Sequence, residues 1–231
     1  MRICLVTPFA WSQPHDVNEH VAGVADGLRA RGHLVTVLAP STRAADLLEG
    51  RRALHGHTEP AEVIAVGPAV PVSRRSQMGV PVGVRANLAL ALSSGGYDVV
   101  HGFEPGLPSL SYLALRETNA LTVATFVSPD RLGYPPATTQ REKLLARIDA
   151  LVALSEGARD AAAERFPGDY RVLSHGYDPA VHRPGRKRKV IVVELRANER
   201  ALARSVLRTL RELPGWEVGR ASCRERVFRT V

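Results

Sequence analysis

The amino-acid sequence predicts an α/β protein built on a Rossmann-like, doubly wound parallel sheet. Three observations predict it: short apolar runs without alternation, stretches of helical spacing between them, and turn residues at the joins. Arg2 to Val6 is such a run, ending in Thr7-Pro8, and reads as a strand buried on both faces. Val17, Val21, Val24, Ala25 and Leu28 follow at helical spacing, with Asp16 placed to cap the start and Gly32 to end the helix. Leu34 to Leu38 then completes a βαβ unit, whose crossover should be right-handed.

The same rhythm continues along the chain. Strands are expected at Glu62–Val66, Asp98–His101, Leu121–Phe126, Leu151–Leu154 and Tyr170–Leu173. Helices are expected at Val82–Leu92, Ser109–Arg116, Gln140–Ile148 and Glu156–Glu164. Residues Thr42–Pro60 and Gly67–Pro81 read as long loops. Pro184 closes a first domain of residues 1–184, and the basic run from Gly185 to Lys189 reads as a linker. Residues 190–218 start a second unit, with a strand at Val190–Glu194, a helix at Arg200–Leu210 and a further strand from Trp216; the expectation is a second domain cut off early. That unit's unfinished apolar helix face predicts poor solubility or disorder after about Pro184. Residues 219–231 lack apolar periodicity, and Gly219 to Val227 reads like a frame of a sequencing-adapter oligonucleotide, so a non-native tail is expected.

Composition narrows the function classes. The net charge of +8 is concentrated in Arg186 to Lys189, which carries four charges, and in the stretch from Gly219 onward, which carries a net three; the body is left near +1. No aromatic residues interleave those clusters, which argues against nucleic acid. The chain has 2 cysteines, Cys4 and Cys223, in no metal-binding or disulfide pattern, and no leader or apolar membrane span is evident. A reducing cytoplasm is the expected location. A dinucleotide-dependent oxidoreductase is set aside because no GxGxxG follows Val6.

Several segments in order resemble the retaining GT-B glycosyltransferases of family 4, most closely the phosphatidylinositol mannosyltransferase type. They are Met1 to Pro8, Arg31-Gly32-His33 with Val35 to Pro40, Tyr97 to His101 with Glu104-Pro105, Pro108 to Ser111, Val123 to Phe126, Ala153 to Ser155, and Gly176-Tyr177-Asp178. The resemblance covers residues 1 to 218 and implies two Rossmann-like domains with a cleft between them. It implies transfer of a sugar, plausibly mannose from its GDP donor, to a lipid or glycan acceptor. The nucleotide sugar is then a substrate, and neither cofactor nor metal is implied.

The resemblance also implies site residues. The donor-phosphate loop falls on Pro14, His15, Asp16 and Asn18, where His15 and Asp16 stand in place of the family's paired glycines; Asp16 has a second reading as a helix cap. Past Phe126 the family commonly has a histidine, and here Val127 stands, leaving Ser128 and Asp130 as the nearest polar groups for the transferred sugar, or as simple turn residues. His101 and Glu104 suit an acceptor contact, with a partly buried histidine and a surface glutamate as the alternative. In the second domain, Glu194-Leu195 replaces the family's Gly-Arg pair, and Arg200 is the matching cation. Arg74, Arg75 and Arg85 are candidates for peripheral contact with an anionic membrane at the inner face of the cell membrane, or for a solvated loop. The departures from the pattern leave open a non-catalytic glycan- or lipid-binding module, and a GT-B epimerase remains possible by fold alone.

Overall fold

A computed structural model describes residues 1–57, 61–69, 71–73, 76–79, 83–176, 189–194, 204–205, 208–209, 212–213 and 215–221. The chain divides into two compact units after His175. The first holds nine strands and six helices among the described residues. They run β1 (Arg2–Val6), α1 (Asp16–Arg29), β2 (Leu34–Ser41), α2 (Ala44–Leu54), β3 (Val63–Pro68), β4 (Pro71–Ser73), β5 (Ser76–Gly79), α3 (Arg85–Gly95), β6 (Val99–Phe103), α4 (Leu110–Glu117), β7 (Leu121–Phe126), α5 (Thr138–Leu145), β8 (Ala150–Ala153), α6 (Glu156–Arg165) and β9 (Tyr170–Val172). The second contains the parallel pair β10 (Val190–Glu194) and β11 (Glu217–Ala221).

Seven strands form one parallel sheet in the order β3-β2-β1-β6-β7-β8-β9. The sequence of β1 explains its central place. Ile3 and Leu5 pack toward α1 with Val17, Val21 and Phe103, while Cys4 and Val6 pack on the other face with Leu88, Val100, Leu110 and Ala114. A strand covered on both faces has no polar side to show, hence the unbroken apolar run. A third cluster joins Phe126 of β7 to Leu144 of α5 and to Ala162 and Phe166 at α6.

Neighbouring strands β1 and β6 send their chains in opposite directions. From β1 the chain crosses through α1 to β2, and from β6 it crosses on the other face through α4 to β7. Their carboxyl ends therefore part, which opens the crevice where doubly wound sheets hold ligands.

Four expectations change. Thr42–Pro60 is not a loop throughout, since α2 occupies Ala44–Leu54. Only Gly50 and Leu54 of that helix are buried, too few for a visible apolar period. Gly50 is required there: a Cβ would lie 2.3 Å from the Ala65 carbonyl oxygen, so α2 lies backbone to backbone against β3. Within Gly67–Pro81, an antiparallel hairpin of β4 and β5 replaces the expected loop. Residue Asp16 opens α1 as its first helical residue, and His15 holds the cap position. Finally, β11 continues past Val218, pairing Gly219, Arg220 and Ala221 with Val192, Val193 and Glu194. Strand pairing uses backbone groups alone and so does not depend on apolar periodicity. Residues 222–231, Arg200, Arg74, Arg75, Tyr177, Asp178 and most of the Pro184 to Lys189 run lie outside the described residues, as does most of the helix expected at Arg200–Leu210.

Candidate active site

The loop leaving β1 is folded by its own polar residues. Buried Thr7 donates from Oγ1 to Asn18 Oδ1 at 2.7 Å, and Asn18 Nδ2 donates to the Ala10 carbonyl at 3.0 Å. Asn18 is thus turned inward, where it shapes the loop. Pro14 is exposed at the loop's rim. The His15 ring stacks on Phe9 with centroids 3.5 Å apart. Its Nδ1 lies 3.2 Å from the Val17 amide and 2.7 Å from Asp16 Oδ1. One nitrogen cannot serve both: unprotonated it accepts from Val17 and caps α1, while protonated it donates to Asp16. The Asp16 carboxyl is held well below the usual carboxylate range, first by the hydrogen bond from His15 and further by the charges of His15 and Arg131, against a desolvation cost. As they stand, Asp16 and Asn18 present no donor to a phosphate.

At the end of β6, Glu104 departs from its reading as a surface glutamate. It is 0% exposed, so it is no surface glutamate, and its φ of 53° is the left-handed backbone that side chains disfavour. Oε1 accepts from the Ser128 amide at 2.9 Å and from Arg131 Nη1 at 3.4 Å. Buried Oε2 has no hydrogen-bond partner among the described residues. Burial pushes the carboxyl up to about 7, against the opposing pull of Arg131 and the Ser128 amide. A strained, half-satisfied acid at a strand end makes this corner a candidate site.

His101 lies within β6, half-buried. Its Nε2 is 2.6 Å from Thr125 Oγ1, and its ring stacks on Phe103 at 4.2 Å. Burial, aided by the neighbouring His20, pushes it down to about 3, so the ring is neutral near pH 7. His20 of α1 meets the Phe103 ring edge at 5.8 Å and His175 at 4.7 Å. Burial first and His175 second push His20 down to about 4.

After β7, the segment from Ser128 to Arg131 is a turn: the Arg131 amide donates to the Ser128 carbonyl at 3.3 Å, and the Asp130 amide reaches Ser128 Oγ at 3.4 Å. Asp130 is exposed. The residue that joins the three loops is Arg131. Its guanidinium pairs with Glu104 at 3.4 Å and with Asp16 at 3.6 Å, and lies 5.0 Å over the Phe9 ring. The Glu104 and Arg131 loops also meet through glycine: a Cβ on Gly106 would lie 2.5 Å from the Arg131 carbonyl oxygen. Sequence reading missed Arg131, Phe9, His20 and His175. Only the cation directly after Ser-Pro-Asp offered a signal.

Arg85 stands elsewhere. At the start of α3 its Nε donates to Glu117 Oε1 at 2.7 Å. Among the described residues, no three His, Cys, Asp or Glu side chains are grouped to hold a metal ion, and no helix is long and apolar enough to cross a membrane.

Comparison with known proteins places this geometry. The model of Glycosyltransferase Family 4 matches residues 17–181. The chain belongs to glycosyltransferase family 4. A phosphatidyl-myo-inositol mannosyltransferase of Propionibacterium freudenreichii subsp. shermanii is 32% identical over 167 residues, which cover 70% of this chain and 42% of that protein. The family 4 chain therefore spans less than half the length of that relative.

Solved structures show the same fold at low identity. The glycotransferase of kitacinnamycin aligns with a TM-score of 0.53 at 17% identity, covering 95% of this chain and 65% of that one. A UDP-GlcNAc 2-epimerase from Methanocaldococcus jannaschii aligns with a TM-score of 0.53 at 10% identity, covering 96% and 66%. Since a transferase and an epimerase share this fold, the fold alone does not assign the chemistry.

Proposed function

We propose that this chain carries the acceptor-side Rossmann-like unit of a retaining glycosyltransferase, one that moves a sugar from a nucleotide-sugar donor to a lipid or glycan acceptor. GDP-mannose is the donor to test first, because a relative at 32% identity is a mannosyltransferase. The observation that carries the reading is the meeting of the β1, β6 and β7 exits at the switch point of a family 4 sheet, around a buried acid with a free oxygen.

In such a transfer the bond from the anomeric carbon to the diphosphate breaks, a bond to the acceptor oxygen forms, and the acceptor hydroxyl loses its proton. The geometry suits neutral, hydroxyl-bearing ligands on this side. Ser128 keeps its hydroxyl proton free to donate to a sugar oxygen, and exposed Asp130 stands two residues on as an acceptor. Glu104 positions both by anchoring the Ser128 amide and Arg131. His101, fixed by Thr125 and Phe103, gives the acceptor side a neutral imidazole. The departing diphosphate needs cations. Arg200 is proposed to supply one from the second unit, and turnover by this chain alone is expected to be absent. Arg74 and Arg75 are proposed to meet anionic lipid headgroups.

A second reading, a non-catalytic glycan- or lipid-binding module, is favoured by one observation: an ionised Asp16 beside the α1 N-terminus, where a diphosphate would otherwise be welcome. The test is to sequence the locus past the codon for Val218 and assay its product with GDP-mannose and phosphatidylinositol vesicles. Mannose transfer supports the enzyme. Saturable acceptor binding without turnover supports the module, and binding of neither overturns both.

A further inference from the structure

The corner formed by the β1, β6 and β7 exits has the parts of an anion site. Arg131 brings a guanidinium that is partly open to solvent to the first residue of α1, and Phe9 gives that guanidinium an aromatic face. The chain itself supplies the anion. Asp16 is the first residue of α1, so its carboxylate sits at the helix terminus, 3.6 Å from Arg131 and 2.7 Å from His15.

Charge counting shows what this does. Arg131 contributes one positive charge, and it is shared between Asp16 and the buried Glu104. With both acids ionised the trio is net negative. With Glu104 protonated it is neutral. With His15 neutral, as it is when its Nδ1 accepts from the Val17 amide, an incoming phosphate meets no net positive charge in either state. The inward turn of Asn18 removes its amide side chain as a donor. Glu104 Oε1 holds the same guanidinium while its buried Oε2 has no hydrogen-bond partner among the described residues, so the charge of Arg131 is already engaged by two acids.

We infer that Asp16 is an internal substitute for a ligand's anionic group, seated against Arg131, and that it makes this corner selective for uncharged, hydroxyl-bearing ligand parts and against phosphate. Asp16 is thus a specificity-determining residue. The inference rests on the ion-pair geometry of the first unit and needs no sugar transfer, so it stands or falls apart from the transferase reading.

Titration calorimetry of the full 231-residue chain with inorganic pyrophosphate tests it. Asp16→Asn keeps the shape of the side chain and removes its charge, and should bind pyrophosphate at least about tenfold more tightly than the unsubstituted chain. Adding Arg131→Gln to that variant should abolish the gain. Asp16→Ser, which also suits a helix start, is measured in parallel, and thermal melts identify which variants are folded. Equal pyrophosphate affinity in the parent chain and in every folded Asp16 variant overturns the inference. So does a gain that persists after Arg131→Gln.

Discussion

At the amino ends of the strands, the polar groups around Arg2 and Thr122 have ordinary partners. The Arg2 amide donates to Asp98 at 2.7 Å, and Arg2 Nε donates to the Gly95 carbonyl at 2.7 Å. The Thr122 amide and hydroxyl both meet Asp149. At the carboxyl ends, one guanidinium is divided between two acids, a buried carboxyl oxygen has no partner, and Glu104 occupies strained backbone. The same sheet supports both edges, so the difference does not come from the quality of the core. It shows where the fold tolerates cost. Strain and unmet polarity collect where loops part at the switch point, and stability is secured elsewhere.

The largest expected break in this contrast is Glu104→Ala. It strips the acceptor from the Ser128 amide and a charge from beside Arg131 and leaves a buried void, so unfolding should become easier by about 3 kcal/mol. Asp98→Ala at the opposite edge removes one exposed hydrogen bond and should cost about 1 kcal/mol or less. Urea titrations of both variants measure the contrast, and equal losses would erase it.

The pH dependence sharpens it. His101 is pushed down to about 3 from an ordinary value of 6.5, so the unfolded chain binds its proton first and stability falls as pH drops through that window. His101→Gln should remove about 4 kcal/mol of that loss. Glu104 has the opposite sign. Its folded value of about 7 lies above the ordinary 4.5, the folded chain holds the extra proton between them, and stability falls as pH rises through that window. Glu104→Gln should therefore gain about 3 kcal/mol relative to the parent between those limits, as read by urea unfolding at pH 4.5 and 7.5. The smallest effect is expected at Arg85→Ala. Its partner Glu117 is only 16% exposed, but Arg85 itself is 71% exposed, so the loss should be about 0.5 kcal/mol by thermal melt.

The strands were legible because burial on both faces leaves an apolar run that nothing else explains; Leu121–Phe126 was placed with its exact ends, and β1 likewise. Helix α2 was not legible, because only two of its residues face the core, and the β4 and β5 hairpin pairs through backbone in a stretch rich in Pro and Arg. The site was half legible. Strand ends mark which loops meet, so Glu104, Ser128, His15 and Asp16 could be named. Their pairings could not, since Arg131 is 115 residues from Asp16 and 27 from Glu104.

The sequence by itself determined the alternation of strands and helices and, through it, a doubly wound parallel sheet and family 4 membership. It did so because apolar periodicity and turn chemistry act over short stretches of chain. Only the tertiary structure decided that Glu104 is a buried acid, that Asn18 faces inward, and that Arg131 closes the corner against Asp16. Those states depend on desolvation and on charges brought together from distant segments, and neither exists until the sheet has formed.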